Sequence, residues 1–281
     1  MPRFAVIGAG PAGIAAAIQL ARAGHEVTVY EPGRASGNLW NAGFVENYPG
    51  FPGGIAGWHL AGLMEEQFWD HEFRVFKSCV GKVSFTGTHY IIDSDNGNEF
   101  DGVIICTGTR PLKAGFPGEE ELAAAGLLHY GIAKLPEMER GGNILVVGGG
   151  ESSMDMSLTM AERGMHVTLL HRSEPRGIKQ LLDAIAAEER VTMLQGEAEN
   201  ARQHSDRAVV RIGGEEKPFD LIIVAVGRES RMPELEGIDI EFPPAGFRIA
   251  GDAKHGGLGQ TAMAVGDGVR AAMEAGREAR K

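Results

Sequence analysis

The residues with the clearest chemical meaning are the glycines of a G-x-G-x-x-G loop near the N-terminus. The loop reads Gly8-Ala9-Gly10-Pro11-Ala12-Gly13, and Glu31 follows it. The first glycine permits a tight turn, the second lets a pyrophosphate approach the backbone, and the third lets a helix pack closely on a strand. A carboxylate at position 31 can accept hydrogen bonds from both ribose hydroxyls. The pattern predicts a dinucleotide-binding site, whereas a ligand-free glycine turn would have no need of the acid.

The elements around this loop have the sequence features of a βαβ unit. Phe4–Ile7 is a short apolar run typical of a buried strand. Residues 14–23 are strong helix formers that end at Gly24, and Val27–Tyr30 is a β-branched run that predicts a second strand. Because a helix N-terminus presents unpaired N–H groups to phosphates, this order suits dinucleotide binding.

A second strand–glycine–helix unit begins at Ile144. The apolar run 144–147 leads into Gly148-Gly149-Gly150-Glu151-Ser152-Ser153, a predicted helix and a second strand over 166–170. His171, Arg172 and Arg176 then take the place of the acid. Basic side chains attract a 2′-phosphate that a carboxylate would repel, which favours NADPH over NADH. A solvated polar loop is the alternative interpretation.

Three further apolar runs end in glycine. They are followed by Thr107-Gly108, by Gly227 and by Gly251-Asp252. Two nucleotide units of different specificity indicate one resident redox cofactor and one diffusible one, and FAD with NADPH or NADH is the simplest pair. Short antiparallel strands are predicted between Phe73 and Phe100, with a turn at 95–98.

Composition limits the partners. The net charge is −11, and no Lys/Arg block is present, so neither nucleic acid nor an anionic membrane is an expected partner. The first apolar segment is interrupted by glycines, so it is neither a signal peptide nor a membrane span. Cys79 and Cys106 form no CxxC and no zinc pattern, which predicts a cytoplasmic protein without a metal site.

The ordered motifs resemble those of the thioredoxin-reductase-like flavoproteins, a family of FAD/NAD(P)H pyridine nucleotide-disulfide oxidoreductases. The matching motifs are Gly8–Gly13, Glu46-Asn47-Tyr48-Pro49-Gly50, Ile105-Cys106-Thr107-Gly108, Gly148–Gly150, His171-Arg172, Val226-Gly227, Gly251-Asp252 and Gln260-Thr261-Ala262. The resemblance implies an α/β fold with two Rossmann-like, three-layer ββα domains. It implies an FAD domain at 1–112 and 244–281 and an NAD(P)H domain at 113–243, with connectors at Pro111 and Pro243-Pro244, and it suggests a homodimer.

The resemblance also implies the cofactor contacts. FAD would be held by Gly8, Gly10, Pro11, Ala12, Gly13, Glu31, Gly37, Asn38, Leu39, Asn47, Val80, Thr107, Gly108, Gly251, Asp252, Gln260, Thr261 and Ala262. NAD(P)H would be held by Gly148, Gly149, Gly150, Glu151, Ser152, Ser153, His171, Arg172, Arg176 and Gly227. No residue is expected to be catalytic, because flavin N5 accepts the hydride and the protein supplies alignment.

One departure from the family concerns its redox-active dithiol. In the thioredoxin reductases, two cysteines precede the second glycine loop at fixed distances from its first glycine. Counted back from Gly148, the same positions in this chain are Gly131 and Lys134. Relay of electrons to a protein disulfide requires a thiolate, so thioredoxin reduction by the usual route is excluded. The His129-Tyr130 pair is instead similar to the thioredoxin-reductase-type ferredoxin–NADP reductases. The expected acceptor is therefore a ferredoxin-like protein or a small molecule.

Two alternatives remain open at this point. A flavin-dependent reductase of disulfides or low-molecular-weight thiols would need Cys79 or Cys106 beside the flavin ring. A flavin-binding regulatory protein would have a decayed nicotinamide site, which the intact Gly148–Gly150 loop and the His171-Arg172 pair oppose.

Overall fold

The computed structural model describes residues 1–93, 98–136 and 138–279 and divides into two compact units. Unit 1 comprises Met1–Trp40, Val45–Arg110 and Glu229–Lys281, and unit 2 comprises Asn41–Phe44 and Pro111–Arg228. In the described ranges, no helix combines the length and the apolar character that crossing a bilayer requires.

The elements are numbered in chain order. The strands are β1 (Arg3–Ile7), β2 (Glu26–Tyr30), β3 (Phe44–Val45), β4 (Ile55–Ala56), β5 (Arg74–Phe76), β6 (Lys82–Phe85), β7 (Tyr90–Ile92), β8 (Glu99–Phe100), β9 (Gly102–Ile105), β10 (Thr109–Pro111), β11 (Leu128–His129), β12 (Asn143–Val147), β13 (His166–His171), β14 (Val191–Gln195), β15 (Ala198–His204), β16 (Arg207–Ile212), β17 (Glu215–Phe219), β18 (Leu221–Val224), β19 (Arg228–Ser230), β20 (Glu234–Glu236) and β21 (Phe247–Ile249). The helices are α1 (Pro11–Arg22), α2 (Gly57–Trp69), α3 (Glu119–Ala124), α4 (Glu151–Glu162), α5 (Lys179–Ala187), α6 (Asp252–His255) and α7 (Thr261–Glu278), and 3₁₀ helices span Gly37–Asn41 and Gly256–Leu258.

Unit 1 is built on a five-stranded parallel sheet in the order β21-β9-β1-β2-β5. A second, four-stranded sheet, β20-β6-β7-β8, contributes Val83, Tyr90 and Phe100 to a core shared with Ile7 and Ile105 of the first. Helices α1 and α7 pack against each other and against the first sheet. The parallel strands place their carboxyl ends on one edge, where ligands bind in open α/β sheets.

Unit 2 repeats this architecture. Its five-stranded parallel sheet has the order β11-β18-β12-β13-β14, and β15-β16-β17 form a three-stranded antiparallel sheet. One core joins Leu145 and Ile222 to Val210 of the antiparallel sheet, and a second joins Val146 to Met154 of helix α4. The predicted α/β class with two Rossmann-like units is confirmed.

The chain returns to unit 1 earlier than the sequence predicts. Strands β10 and β19 pair where the chain passes between the units, and residues from Glu229 onward belong to unit 1. The predicted second connector, Pro243-Pro244, therefore lies inside unit 1. The physical reason is β20, whose Leu235 pairs in parallel with Val83 of β6.

The strands predicted between Phe73 and Phe100 need one correction. Strands β6, β7 and β8 are antiparallel as expected. Strand β5 instead joins the parallel sheet, where Val75 pairs with Val29. Most of the predicted turn at 95–98 falls on residues 94–97, outside the described residues.

A glycine substitution tests the packing of α7 on α1. A Cβ at Gly268 would lie 2.1 Å from the backbone oxygen of Ala12. We expect Gly268→Ala to lower the free energy of unfolding, measured by urea denaturation, by about 1–3 kcal/mol, because the helices must separate.

Gly266 on the same helix is the matched control, since a Cβ there meets no atom within 4 Å. Gly266→Ala should leave stability unchanged or raise it by up to about 1 kcal/mol through helix propensity. Equal stabilities of the two variants would contradict the close contact.

Candidate functional site

The first glycine loop turns the chain from β1 into α1 at the carboxyl edge of the parallel sheet. Gly8 has φ +101°, and its N–H donates to the Tyr30 carbonyl at 2.8 Å. A Cβ at Gly13 would lie 1.8 Å from the Gly8 carbonyl oxygen, whereas a Cβ at Gly10 meets no atom within 4 Å. The loop is therefore closed where the helix meets the strand and open at the position predicted to face a pyrophosphate.

Helices α1 and α7 of unit 1 begin without a side-chain cap, as α2 and α6 also do. The N-cap residue of α1 is Gly10, followed by Pro11, and that of α7 is Gln260; neither cap makes a side-chain hydrogen bond to its helix. The first N–H groups of an α-helix have no partner within the helix, and the helix dipole makes this end attractive to negative charge. Both N-termini can therefore bind phosphate or another electron-rich oxygen.

Glu31 is fixed at the end of β2, beside the loop. Its Oε2 accepts the Ala9 N–H at 2.8 Å, and its Oε1 accepts the Gly33 N–H at 2.8 Å. A carboxylate has about four lone-pair sites, so each oxygen can still accept a hydroxyl proton. This geometry fits the ribose contact predicted for Glu31.

Residues 36–39 line the open side of the loop. The Ser36 N–H donates to the Ala9 carbonyl at 2.8 Å, and a Cβ at Gly37 would lie 3.4 Å from Gly10 Cα. Asn38 and the buried Leu39 continue the 3₁₀ helix. The predicted contacts at 37–39 are thus next to Gly10.

Two predicted contacts that are far apart in the sequence meet in unit 1. The Asn47 side-chain amide donates a hydrogen bond to Gln260 Oε1. Gln260 is the N-cap of α7, so Asn47 is held at the beginning of that helix, next to Thr261 and Ala262 of its first turn.

Arg231 organises the turn after β9, and the sequence offers no motif that points to it. Its N–H donates to the Gly108 carbonyl at 2.9 Å, and its carbonyl accepts the Thr107 hydroxyl. Its guanidinium Nη2 donates to Cys79 Sγ at 2.8 Å. Arg231 thus joins the predicted contacts Thr107 and Gly108 to the segment that precedes Val80.

Val80 is buried in the same core as Tyr30, near the end of β2. In the preceding turn, Ser78 Oγ is buried and has no hydrogen-bond partner in the described part of the chain. A buried apolar residue and an unpaired buried hydroxyl in one short segment would fit the adenine end of a dinucleotide.

Gly251 and Asp252 connect β21 to α6. Gly251 has φ +66°, and a Cβ there would lie 2.8 Å from Ala12 Cβ in the first turn of α1. A Cβ at Gly259 would lie 1.7 Å from Asp252 Oδ1, so the chain entering α7 lies directly on this carboxylate. Asp252 therefore lies between the starts of α1 and α7.

The second glycine loop has the same construction in unit 2. Gly148 has φ +153°, and a Cβ there would lie 2.4 Å from the Ala225 carbonyl oxygen and 2.9 Å from Ser153 Cβ. Gly150 is the N-cap residue of α4, and this helix has no side-chain cap. A Cβ at Gly150 would meet no atom within 4 Å. The buried Ser153 donates through Oγ to the Gly150 carbonyl at 2.6 Å. The turn is therefore open at Gly150, where the N-terminus of α4 can accept an anion.

The side chains around this turn differ in exposure. Glu151 Oε1 accepts the Ile178 N–H at 3.1 Å, while Ser152 is exposed. Gly149 accepts the Arg176 N–H at 2.8 Å, and Gly227 accepts the Leu112 N–H at 3.0 Å. These contacts hold the predicted residues of unit 2 around the carboxyl ends of β12 and β18.

The basic residues at and after the end of β13 are not equivalent. The His171 ring is buried, and Nδ1 lies 3.1 Å from the Ser173 carbonyl oxygen, so Nδ1 must carry the proton of that bond. The Arg172 side chain is 81% exposed, and its Nε lies 4.0 Å from Glu197 Oε1. Arg176 is also exposed. The two arginines, rather than His171, are the side chains free to meet a phosphate.

An asparagine side chain lies against Gly131, one of the two positions where the resemblance would place a redox-active cysteine. A Cβ at Gly131 would lie 2.4 Å from Asn41 Oδ1, and that oxygen accepts the Ala133 N–H at 2.8 Å. Nearby, the Tyr130 hydroxyl donates to the buried Glu119 at 3.0 Å. Burial and the Glu119 carboxylate raise the pKa of Tyr130 to about 12, so this hydroxyl keeps its proton at neutral pH.

Neither cysteine has the surroundings of a disulfide-exchange pair. Cys79 is exposed, Cys106 is buried, and both are free thiols. Burial, and secondly the Asp267 carboxylate, raise the pKa of the Cys106 thiol far above its usual range, which makes it unreactive. In the described part of the chain, no cluster of His, Cys, Asp and Glu side chains could hold a metal ion.

The chain is similar to known proteins over most of its length. The sequence profile of the pyridine nucleotide-disulphide oxidoreductases matches residues 2–279. The chain is 32% identical to a thioredoxin reductase of Mycolicibacterium smegmatis over 252 residues, covering 86% of this chain and 80% of the relative. It is also 32% identical to a ferredoxin–NADP reductase of Ignicoccus hospitalis over 258 residues, covering 83% and 78%. The crystal structure of Lactococcus lactis thioredoxin reductase matches with TM-score 0.86 at 27% identity, covering 100% of this chain and 99% of that one.

Alanine substitutions at Gly10 and Gly13 distinguish an effect on FAD binding from an effect on the free energy of unfolding. Gly10→Ala should change the unfolding free energy of the FAD-free protein by less than about 1 kcal/mol. It should weaken FAD binding at least about tenfold, since its methyl group occupies the open side of the loop. Flavin fluorescence titration and urea denaturation measure the two quantities.

Gly13→Ala is the matched comparison, because its Cβ would collide with the Gly8 carbonyl oxygen. It should lose stability as well as affinity. Unchanged FAD affinity in Gly10→Ala would show that the loop is not the pyrophosphate site.

Proposed function

Because the chain belongs to the pyridine nucleotide-disulphide oxidoreductase family, we propose that it passes electrons from NADPH through FAD to an acceptor other than a thioredoxin-type disulfide. Membership of this family makes the chain an FAD-containing, NAD(P)H-dependent oxidoreductase, which confirms the resemblance and the cofactors predicted from the motifs. The acceptor and the residue-by-residue contacts are the proposed part.

The observation that carries this proposal is the replacement of the dithiol. Gly131 and Lys134 stand where the two thiols would be, and the Asn41 side chain occupies the space next to Gly131. Without a thiol pair, no residue at this position can attack an acceptor disulfide. Electrons must therefore leave the flavin directly.

The chain's residues would hold and orient the cofactors. In unit 1, the N-terminus of α1 at Gly10 would bind the pyrophosphate of FAD, Glu31 its ribose, and the N–H groups of Gln260 and Thr261 the electron-rich pyrimidine edge. In unit 2, Gly150 would bind the pyrophosphate of NADPH and Arg172 its 2′-phosphate. When bound, the flavin accepts a hydride from the nicotinamide and passes two electrons on.

A ferredoxin-like protein or a small oxidant is the acceptor class that this chemistry fits. Support comes from the relative named ferredoxin–NADP reductase, which the chain matches over most of its length. The cytoplasmic location and the homodimer expected from the sequence stay predictions.

Anaerobic titration separates this proposal from its alternatives. NADPH should bleach the flavin absorbance stoichiometrically, and ferredoxin or a quinone should restore it. Insulin with thioredoxin should restore it at a rate no higher than buffer alone. Failure of both NADPH and NADH to bleach the flavin would contradict the enzyme and favour a regulatory flavoprotein, and fast re-oxidation by disulfides would favour the thiol reductase.

Arg172 and Glu197 should set the choice between NADPH and NADH. Arg172→Ala should lower kcat/KM for NADPH by about tenfold and leave that for NADH nearly unchanged, because only NADPH carries the 2′-phosphate. Glu197→Gln should raise the NADPH to NADH ratio by about twofold to threefold, because it removes a carboxylate that competes with the phosphate for Arg172.

Arg202→Ala is the matched control. It removes another exposed ion pair of unit 2, with Glu216 on β17. It should leave the kcat/KM ratio unchanged. Equal losses for both nucleotides in Arg172→Ala would contradict the 2′-phosphate contact.

A further inference from the structure

A cluster of three charged or titratable side chains in unit 1 joins α6 to α7. His255 Nε2 lies 2.5 Å from Asp267 Oδ2, and Arg270 Nη2 lies 2.8 Å from Asp267 Oδ1. The Asp267 side chain is 13% exposed and that of His255 is 30% exposed. The two oxygens of a largely buried carboxylate thus accept from different donors, and such bonds are stronger than those of an exposed pair.

This cluster closes the connection that leads into α7. His255 is the last residue of α6, and Asp267 lies on α7 itself, roughly 9 Å beyond Thr261 along the helix axis. The residues between them include Gly259, which lies against the Asp252 carboxylate, and Gln260, which accepts from Asn47. The bond from His255 to Asp267 therefore holds the segment between α6 and α7 against α7.

Asp267 also lies close to the first glycine loop. Its neighbour Gly268 contacts the Ala12 backbone in the first turn of α1, where a Cβ would be 2.1 Å from the Ala12 oxygen. The charge of Asp267 contributes to the raised pKa of Cys106, in the turn after β9. An uncompensated carboxylate here would weaken the attraction of the α1 N-terminus for an anion, and Arg270 supplies the opposite charge.

We propose that His255, Asp267 and Arg270 form a positioning network that fixes the N-terminus of α7 and thereby sets the affinity and the reduction potential of the flavin. The inference rests on the proposed function, because it assumes that Gln260 and Thr261 face FAD. His255 and Arg270 hold Asp267, Asp267 holds the connection, and the connection orients the first N–H groups of the helix. None of the three needs to touch the cofactor.

The test compares FAD dissociation and midpoint potential in the purified holoprotein. His255→Ala should weaken FAD binding about tenfold and shift the potential to more negative values, because misaligned N–H groups stabilise the reduced flavin less well. His255→Gln keeps a side-chain N–H donor and should stay within about twofold of wild type. The double variant His255→Ala/Asp267→Asn should bind FAD no more weakly than the weaker single variant, because both changes remove the same bond.

Glu274→Ala is the matched control, since it removes the ion pair of α7 with Arg248 on β21 and leaves the connection intact. It should retain the wild-type affinity and potential. Wild-type values in His255→Ala, or equal losses in His255→Ala and His255→Gln, would overturn the network while the proposed function stands. A wild-type protein that binds no FAD would overturn both.

Discussion

The contact on which the rest of the structure depends is that between the backbones of Gly13 and Gly8. Neither position has room for a side chain, because a Cβ at Gly13 would lie 1.8 Å from the Gly8 oxygen and a Cβ at Gly8 would lie 2.3 Å from the Cys106 oxygen. This closeness places the uncapped N-terminus of α1 at the carboxyl edge of the sheet. In unit 2, a Cβ at Gly148 would likewise lie 2.4 Å from the Ala225 carbonyl oxygen, while a serine replaces the third glycine. Each unit thus begins a helix at the carboxyl edge of its parallel sheet, with an N-terminus that can accept an anionic ligand.

The two units differ in the charge that follows their second strand. Both carboxylate oxygens of Glu31 accept backbone N–H groups, which fixes an acid just after β2 in unit 1. Unit 2 places the exposed guanidinium of Arg172 there instead, with Glu197 nearby. A fixed acid suits a ribose with free hydroxyls, and an exposed cation suits a 2′-phosphate. Under the proposed function, these few side chains would distinguish the resident nucleotide from the diffusible one.

Much of this could be predicted from the sequence because the glycine loops, buried strands and acid lie close together in the chain. The contacts that were missed join distant segments, and no local pattern encodes them. Arg231 bonds to Gly108 and Cys79, and Asp267 bonds to His255 across the connection between α6 and α7. The same reason explains the misplaced connector, because the pairing of β20 with β6 cannot be read from Pro243-Pro244. The burial of His171, which the sequence predicts as a nucleotide contact, is likewise a tertiary effect.

The central claim is that electrons leave the flavin without passing through a protein thiol. The most direct measurement is stopped-flow kinetics of the thiol-free variant Cys79→Ser/Cys106→Ala. The flavin of this variant is reduced by NADPH and then re-oxidised by whichever of ferredoxin and quinone re-oxidises the wild-type protein. The account predicts reduction and re-oxidation rates within about threefold of wild type, since cofactor chemistry requires only alignment. Normal reduction followed by loss of re-oxidation would contradict it and would assign a redox role to a cysteine.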